Sequence, residues 1–363
     1  MRIKNLLLIL TVAFLTIIMC FVSVQGDSLS KPDKKPITSP VPEWQNVLIY
    51  NFAIHSIKPD QDFYRLSKPA DLKPANSAFD KEGIPMYQKG KGKPMYNHPV
   101  RLAHHSINFL ESYHMTKDYR YVKEAEKYAQ RLVDIAVEQN GAMYFPYEFE
   151  VYLHNLPTEY LKPGWYSGMA QGQALSAFVR LYQETDDPKY LEWADKVFQS
   201  FRQPKSDGVP IWVSMVDDGY YWIEEYPMEK PTKVLNGFIF AIYGLYDYYQ
   251  LTGKEEAKVL LLASLTTIYD HIEKYRNKDD ASFYGLKLDH RSVHYHLVHI
   301  EQLKALHDIT GEQYFLDMSE QFHHDWYGLP AKVKRQAGKV KDIFDKGDTI
   351  SLVSTWVWET ASS

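Results

Sequence analysis

The stretch Leu181-Tyr182-Gln183-Glu184-Thr185-Asp186-Asp187-Pro188-Lys189-Tyr190-Leu191 joins an apolar helix end to a threonine, a polar turn and the start of a second helix. Three other stretches follow the same plan: SYHMTKDYRYV at 112–122, YYQLTGKEEAKV at 248–259 and LHDITGEQYFL at 306–316. Their threonines, Thr116, Thr185, Thr252 and Thr310, recur roughly every sixty to seventy residues, longer than the common solenoid units. Helix, tight turn, helix and long loop describe stacked helical hairpins. Closed into a ring, such hairpins form an α/α toroid, a complete or incomplete (α/α)6-type barrel whose loops line a central cleft. Left open, they form a solenoid with a concave groove. The expected fold class is therefore all-α, an α/α toroid with a short irregular N-terminal segment.

The periodicity around this stretch agrees. Tyr190, Trp193, Ala194, Val197, Phe198 and Phe201 fall at i, i+3, i+4, i+7, i+8 and i+11, the stripe of a helix packed on one face. Leu175, Phe178, Val179 and Tyr182 repeat the pattern on the preceding segment. Upstream, KPADLKPAN and YQKGKGKP punctuate the chain before Pro99, which predicts loops and short helices or strands.

Arg2 and Lys4 precede an uncharged run from Leu6 to Val24, the layout of an export signal, or of a membrane anchor if it is not cleaved. Residues 27–42, rich in Pro, Ser and Lys, read as a disordered, extended linker. The expected division is thus 1–26 signal or anchor, 27–42 linker and 43–363 folded domain, with the folded part outside the cytoplasm in the cell envelope or beyond.

A net charge of −5 gives no global positive field, which argues against nucleic acid as a partner. The single cysteine, Cys20, lies in the N-terminal apolar run and leaves no disulfide framework or thiolate metal site. The 28 tyrosines, with 8 Trp and 17 Phe, supply the amphipathic rings that suit carbohydrate clefts, although most must serve the core or its rim.

Function is expected where long aromatic loops join the hairpins. Three segments qualify: Pro163-Gly164-Trp165-Tyr166-Ser167-Gly168-Met169-Ala170-Gln171-Gly172-Gln173; Trp222-Ile223-Glu224-Glu225-Tyr226-Pro227 followed by VLNGF at 234–238; and Tyr284-Gly285-Leu286-Lys287 followed by YHLVHIEQL at 295–303. In this order they resemble the C-terminal domain of the D-glucuronyl C5-epimerases, which invert C5 of glucuronate units in heparosan-type polymers. Asp80-Lys81-Glu82-Gly83-Ile84-Pro85 extends the resemblance upstream, so that it runs from Asp80 to Trp326. The sequence departs from the family in two places. The long β-domains of the animal enzymes are missing before the helices, and Lys287 stands where the family has arginine, replacing a bidentate carboxylate clamp by a point charge.

The resemblance implies an isomerase acting on an anionic uronate-containing polysaccharide without a redox cofactor. The family's metal site lies in the missing β-domains, so metal dependence does not carry over. His294, His296 and His299, with no carboxylate or fourth imidazole beside them, are read as structural or cleft residues and not as metal ligands. Its partners would include the membrane, should the N-terminal segment anchor it, and a second copy of the chain in a homodimer. Glu225 and Tyr295 match the proposed proton-transfer pair, and Tyr226 and Tyr284 match further active-site residues. Removing the C5 proton adds charge to an existing carboxylate, and inversion needs a base and an acid on opposite ring faces. Tyr226, Tyr284 and Lys287 would hold the carboxylate, Trp165 and Tyr166 would stack on a sugar, and Gln171, Gln173 and Asn236 would bond hydroxyls. His296 or His299 would ease ionisation of Tyr295, and Glu224 would be a solvated bystander. Competing readings are a uronate lyase, a glycosidase pairing Asp217 or Asp218 with Glu225, and a non-catalytic carbohydrate-binding envelope protein. The basic run at Lys332, Lys334, Arg335, Lys339 and Lys341 reads as a solvated helix face.

Overall fold

The computed structural model describes residues 29, 31–73 and 78–345. Among the described residues, eight helices pair into four hairpins: α1 (Pro99–Thr116) with α2 (Arg120–Asp134), α3 (Gly168–Thr185) with α4 (Pro188–Phe201), α5 (Leu235–Thr252) with α6 (Glu255–Tyr275), and α7 (Val293–Thr310) with α8 (Gln313–Tyr327). A ninth helix, α9 (Leu329–Asp345), follows α8.

Each repeated threonine closes the first helix of its pair by the same device. The hydroxyls of Thr116, Thr185, Thr252 and Thr310 donate to the carbonyl four residues back, at 2.6–2.8 Å, and accept from the N–H two residues on, at 3.1–3.3 Å. The next residue then turns left-handed, with φ of 57° at Lys117, 54° at Asp186, 61° at Gly253 and 69° at Gly311. The chain is reversed there, and the second helix packs back on the first.

Successive first helices pack on one another, α1 on α3, α3 on α5 and α5 on α7, with the second helices outside. The inner helices α3 and α5 are buried nearly all round, whereas α4 buries a stripe of Tyr190, Ala194, Val197, Phe198 and Phe201. Contact between α3 and α5 is backbone to backbone: a Cβ on Gly244 would meet the Gly172 carbonyl oxygen at 2.2 Å. Because successive helices alternate direction, the N-termini of α3, α5 and α7 share one end of the array, and the long loops that lead into them gather there.

These loops are not wholly irregular. Short antiparallel pairs stiffen them: β4 (Val137–Gln139) with β5 (Ala142–Tyr144), β6 (Val151–Tyr152) with β7 (Tyr160–Leu161), and β8 (Ser214–Asp217) with β9 (Tyr220–Ile223). Three further strands, β1 (Ala78–Phe79), β2 (Pro85–Gln88) and β3 (Met95–Tyr96), precede α1. The frame is helical as expected, while the hairpins on its loops carry no helical period and were not foreseen.

The segment expected to be a loose linker is extended but docked. From residue 31 onward Lys31 pairs with Asp270, Lys34 with Glu312 at 2.5 Å, and the Pro32 carbonyl accepts from Tyr269 Oη at 2.8 Å. The strap continues across the frame: His55 N–H donates to Ile309 O, Ile57 N–H to Tyr246 Oη, and Ala70 N–H to Ser112 Oγ, all at 2.8–2.9 Å. Aromatic rings and lysine stems on either side make this polar text adherent. The N-terminal apolar run lies outside the described residues, and no helix among those described is long and apolar enough to cross a membrane.

Candidate active site

Strand β9 delivers Glu224 and Glu225 to the end of the array where α3, α5 and α7 begin. Glu224 N–H donates to Val213 O, and its carbonyl accepts from Gly168 N–H, each at 2.8 Å, so the segment is stitched between β8 and the first turn of α3. The two carboxylates then diverge. Glu224 is fully buried and accepts from Thr232 N–H at 2.9 Å, Thr232 Oγ1 at 2.8 Å and Lys233 N–H at 3.0 Å. It is no solvated bystander: it clamps the loop entering α5, and burial pushes its pKa up even though these donors pull it back.

Glu225 turns the other way, into a cluster of tyrosines. Tyr284 Oη donates to Glu225 Oε1 at 3.3 Å and lies 3.4 Å from Tyr226 Oη. The ring of Tyr295, in the first turn of α7, lies 4.5 Å from that of Tyr284. Glu225 Oε2 has no hydrogen-bond partner among the described residues. Burial raises the Glu225 carboxyl from 4.5 to about 7, against the pull of the Tyr226 and Tyr284 hydroxyls. Burial and the Glu225 charge together push Tyr295 upward, so it stays protonated near neutrality.

Tyr284 is placed by its loop. Its N–H donates to His290 O at 2.8 Å and its carbonyl accepts from Leu235 N–H at 3.0 Å, an orphan donor of the α5 N-terminus. Glycine follows because a Cβ at 285 would strike the Thr232 carbonyl at 2.6 Å. Two residues on, Lys287 Nζ donates to Glu159 Oε2 at 2.6 Å.

Beside the cluster opens a groove of about 730 Å³, lined by Trp165, Tyr166, Trp212, Met228, Lys230 and Lys287 among others. Trp165 stacks on Tyr147 at 3.8 Å, donates Nε1–H to Phe149 O at 2.9 Å, and sits 5.7 Å from the Tyr226 ring. Glu225, Tyr226, Tyr284, Tyr295, Lys287, Trp165 and Tyr166 therefore converge on one end of the molecule.

Glu225, Tyr226, Tyr284 and Tyr295 adjoin this groove without lining it, and the remaining expected residues are committed elsewhere. Gln171 is buried and spent on Phe145 N–H, Met143 O and Ser200 Oγ; it holds β5 to the helices. Gln173 is buried between α3 and His104 of α1 at 3.4 Å. His296 is used fully, by Ser282 N–H at 2.9 Å and Phe322 O at 3.0 Å, and His299 bonds Ser282 Oγ at 2.8 Å. Burial lowers His299 to about 3, so neither imidazole is a cation that could ease ionisation of Tyr295. Both instead anchor the loop that carries Tyr284. Asn236 is buried in the first turn of α5; its backbone carbonyl accepts from Gln302 Nε2 at 2.9 Å, and its side-chain Oδ1 has no partner among the described residues. Asp217 and Asp218 lie on the exposed turn of the β8–β9 hairpin, where Lys233 pairs with Asp217 at 2.6 Å, at the far end of β9 from Glu225. No glycosidase carboxylate pair forms there.

A family model described as D-glucuronyl C5-epimerase C-terminus matches residues 138–324, the span that holds every member of the convergent cluster. The chain belongs to this epimerase C-terminal family. It is 30% identical over 211 residues to an uncharacterised protein of Methanocaldococcus jannaschii, covering 53% of this chain and 66% of that one. It is 30% identical over 193 residues to the D-glucuronyl C5-epimerase of Caenorhabditis elegans, covering 47% of this chain and 30% of the nematode protein. The chain thus spans under a third of the nematode epimerase. Among solved structures, a sugar epimerase from a ruminal bacterium aligns with a TM-score of 0.49 at 12% identity, over 69% of this chain and 67% of that one.

Sequence reading missed Glu159, which gives no local signal, and Gly237. The latter sits in the first turn of α5, where a Cβ would lie 2.2 Å from Glu225 Oε2. A glycine inside a helical pattern was the available sign of that close approach.

Proposed function

We propose that this chain inverts C5 of a D-glucuronate residue in an anionic, heparosan-like polysaccharide met outside the cytoplasm, and that its hairpins form an incomplete (α/α)6-type toroid around the cleft. The observation that carries this reading is the buried Glu225 carboxyl, raised to about 7, within a cluster of three tyrosines in a chain of the epimerase family.

In this mechanism ionised Glu225 takes the C5 proton and the electron pair moves into the neighbouring carboxylate, giving an enediolate. The hydroxyls of Tyr226 and Tyr284 and the ammonium of Lys287 stabilise the added charge. Neutral Tyr295 returns a proton to the opposite face of C5. Tyr284, hydrogen-bonded to Glu225 and packed on Tyr295, then carries the proton from Glu225 back to the tyrosinate. The roles of acid and base follow from the two ionisation equilibria: Glu225 changes charge near neutrality and Tyr295 does not.

The test is to incubate the protein with glucuronate-containing polymers in deuterated water and follow C5 by NMR. Deuterium at C5 with iduronate signals is expected, and Glu225→Gln should lower exchange at least about 10²-fold. An unsaturated, ultraviolet-absorbing end would replace this reading by a lyase. Shorter saturated chains would mean hydrolysis, and binding without exchange a carbohydrate-binding protein.

A further inference from the structure

Lys287 is assigned above to the substrate carboxylate, yet in the free protein its ammonium is already held by Glu159. The two side chains are only 19% and 6% exposed. Glu159 does not belong to the helical frame. It sits just before β7, where its N–H donates to Leu156 O and its carbonyl accepts from Leu153 N–H. Both backbone groups are thus consumed inside the β6–β7 hairpin, which presents the carboxylate as a fixed unit. Lys287 arrives from the opposite side, on the loop locked by Gly285.

The pair stands on a boundary. Glu159 and Lys287 both line the 730 Å³ groove, and both line the small cavity beneath the hairpin beside Tyr284 and His154. The ion pair is thus common to the groove and to the cavity that holds Tyr284.

We propose that Glu159 is a positioning residue that competes with the uronate carboxylate for Lys287 and so sets the affinity of the site for anionic sugars. This rests on the reading of Lys287 given under Proposed function. An ammonium has three N–H donors but one charge, so two carboxylates on it repel each other. A uronate must therefore displace Glu159 or share Lys287 with it, and either costs part of the ion-pair energy. The same competition acts on the product, which carries the same carboxylate as the substrate. Glu159 retakes Lys287 as the inverted sugar leaves, whereas an unpaired, half-buried cation would retain it.

The experiment is a calorimetric titration of the full chain with a glucuronate-containing oligosaccharide and with its neutral counterpart, in which glucose replaces glucuronate. Glu159→Gln keeps the shape and removes the charge; Glu159→Ala serves if the glutamine variant does not fold. Either should bind the uronate oligosaccharide about 5- to 10-fold more tightly, the scale of one partly screened ion pair, and leave the neutral one unchanged. The gain should vanish in a Lys287→Met background. Unchanged or weaker uronate binding in a folded Glu159 variant overturns the proposal, as does a gain that persists without Lys287 or extends equally to the neutral sugar. Failure of the epimerase reading shows separately, as absence of C5 exchange in the unsubstituted protein.

Discussion

At the first turn of α5 the Glu225 carboxylate occupies the space that a side chain at 237 would need. Gly237→Ala should therefore push the carboxylate off its mark, and a displacement of this size costs about 10²-fold in C5 exchange. Gly338 in α9 is the control: a Cβ there meets nothing within 4 Å, so Gly338→Ala should leave exchange untouched and gain up to about 1 kcal/mol in helix stability. Equal exchange rates in the two variants would remove Gly237 from the site. The ionisation of Glu225 gives a second prediction. As the base it must be charged, so kcat/KM should climb with pH and level off above about 7. Stability runs the other way. The folded-state pKa lies above the ordinary value of 4.5, so the contribution is complete below 4.5 and lost as pH rises through about 7. A rate that is flat from pH 5 to 8 would contradict the assignment.

Individual elements explain why some of the molecule was legible in the sequence and some was not. The hairpins were legible because one device, a threonine bonded back to its helix and followed by a left-handed residue, recurs four times with its polar turn. The stripe of α4 was legible because the helix is outer and one-sided, and the loops with the candidate cluster were legible through their resemblance to a family. Glu224 and Glu225 were not separable, because nothing in two adjacent glutamates says which meets Thr232 and which meets Tyr284. Gln171, His296 and His299 misled for a related reason. Polar residues in a loop-to-helix junction suit a sugar hydroxyl and a buried backbone equally well, and here they satisfy backbone. The segment 27–42 was read as a linker by its own composition alone, whereas the adherence of its described part is decided by partners as distant as Asp270 and Glu312.

Across the whole molecule, the end opposite the candidate site is held by a single buried cation. Arg180 of α3 donates to Asp247 of α5 at 3.0 Å, Glu111 of α1 at 3.1 Å and Asp62 of the strap at 2.9 Å. Three inner helices and the N-terminal segment therefore meet at one guanidinium, beside a cavity of about 880 Å³. Its five fixed donors suit several carboxylates at once, which a lysine could not match. Removing the charge strands the buried Asp247 carboxylate, while Glu111 keeps His114 beside it and Asp62 keeps the Tyr64 N–H, so Arg180→Met should cost about 3–5 kcal/mol in urea denaturation at pH 8. The pH dependence identifies the cause. Without Arg180 the desolvated Asp247 carboxylate, which burial already pushes upward, favours its protonated form. Its folded-state pKa then lies above the unfolded one, so the variant should regain stability as pH falls, and the deficit should shrink by pH 5. A deficit of the same size at both pH values would mean that the loss comes from something other than the stranded carboxylate, such as the contact of the guanidinium with the Phe63 and Tyr64 rings at 5.5 and 5.0 Å.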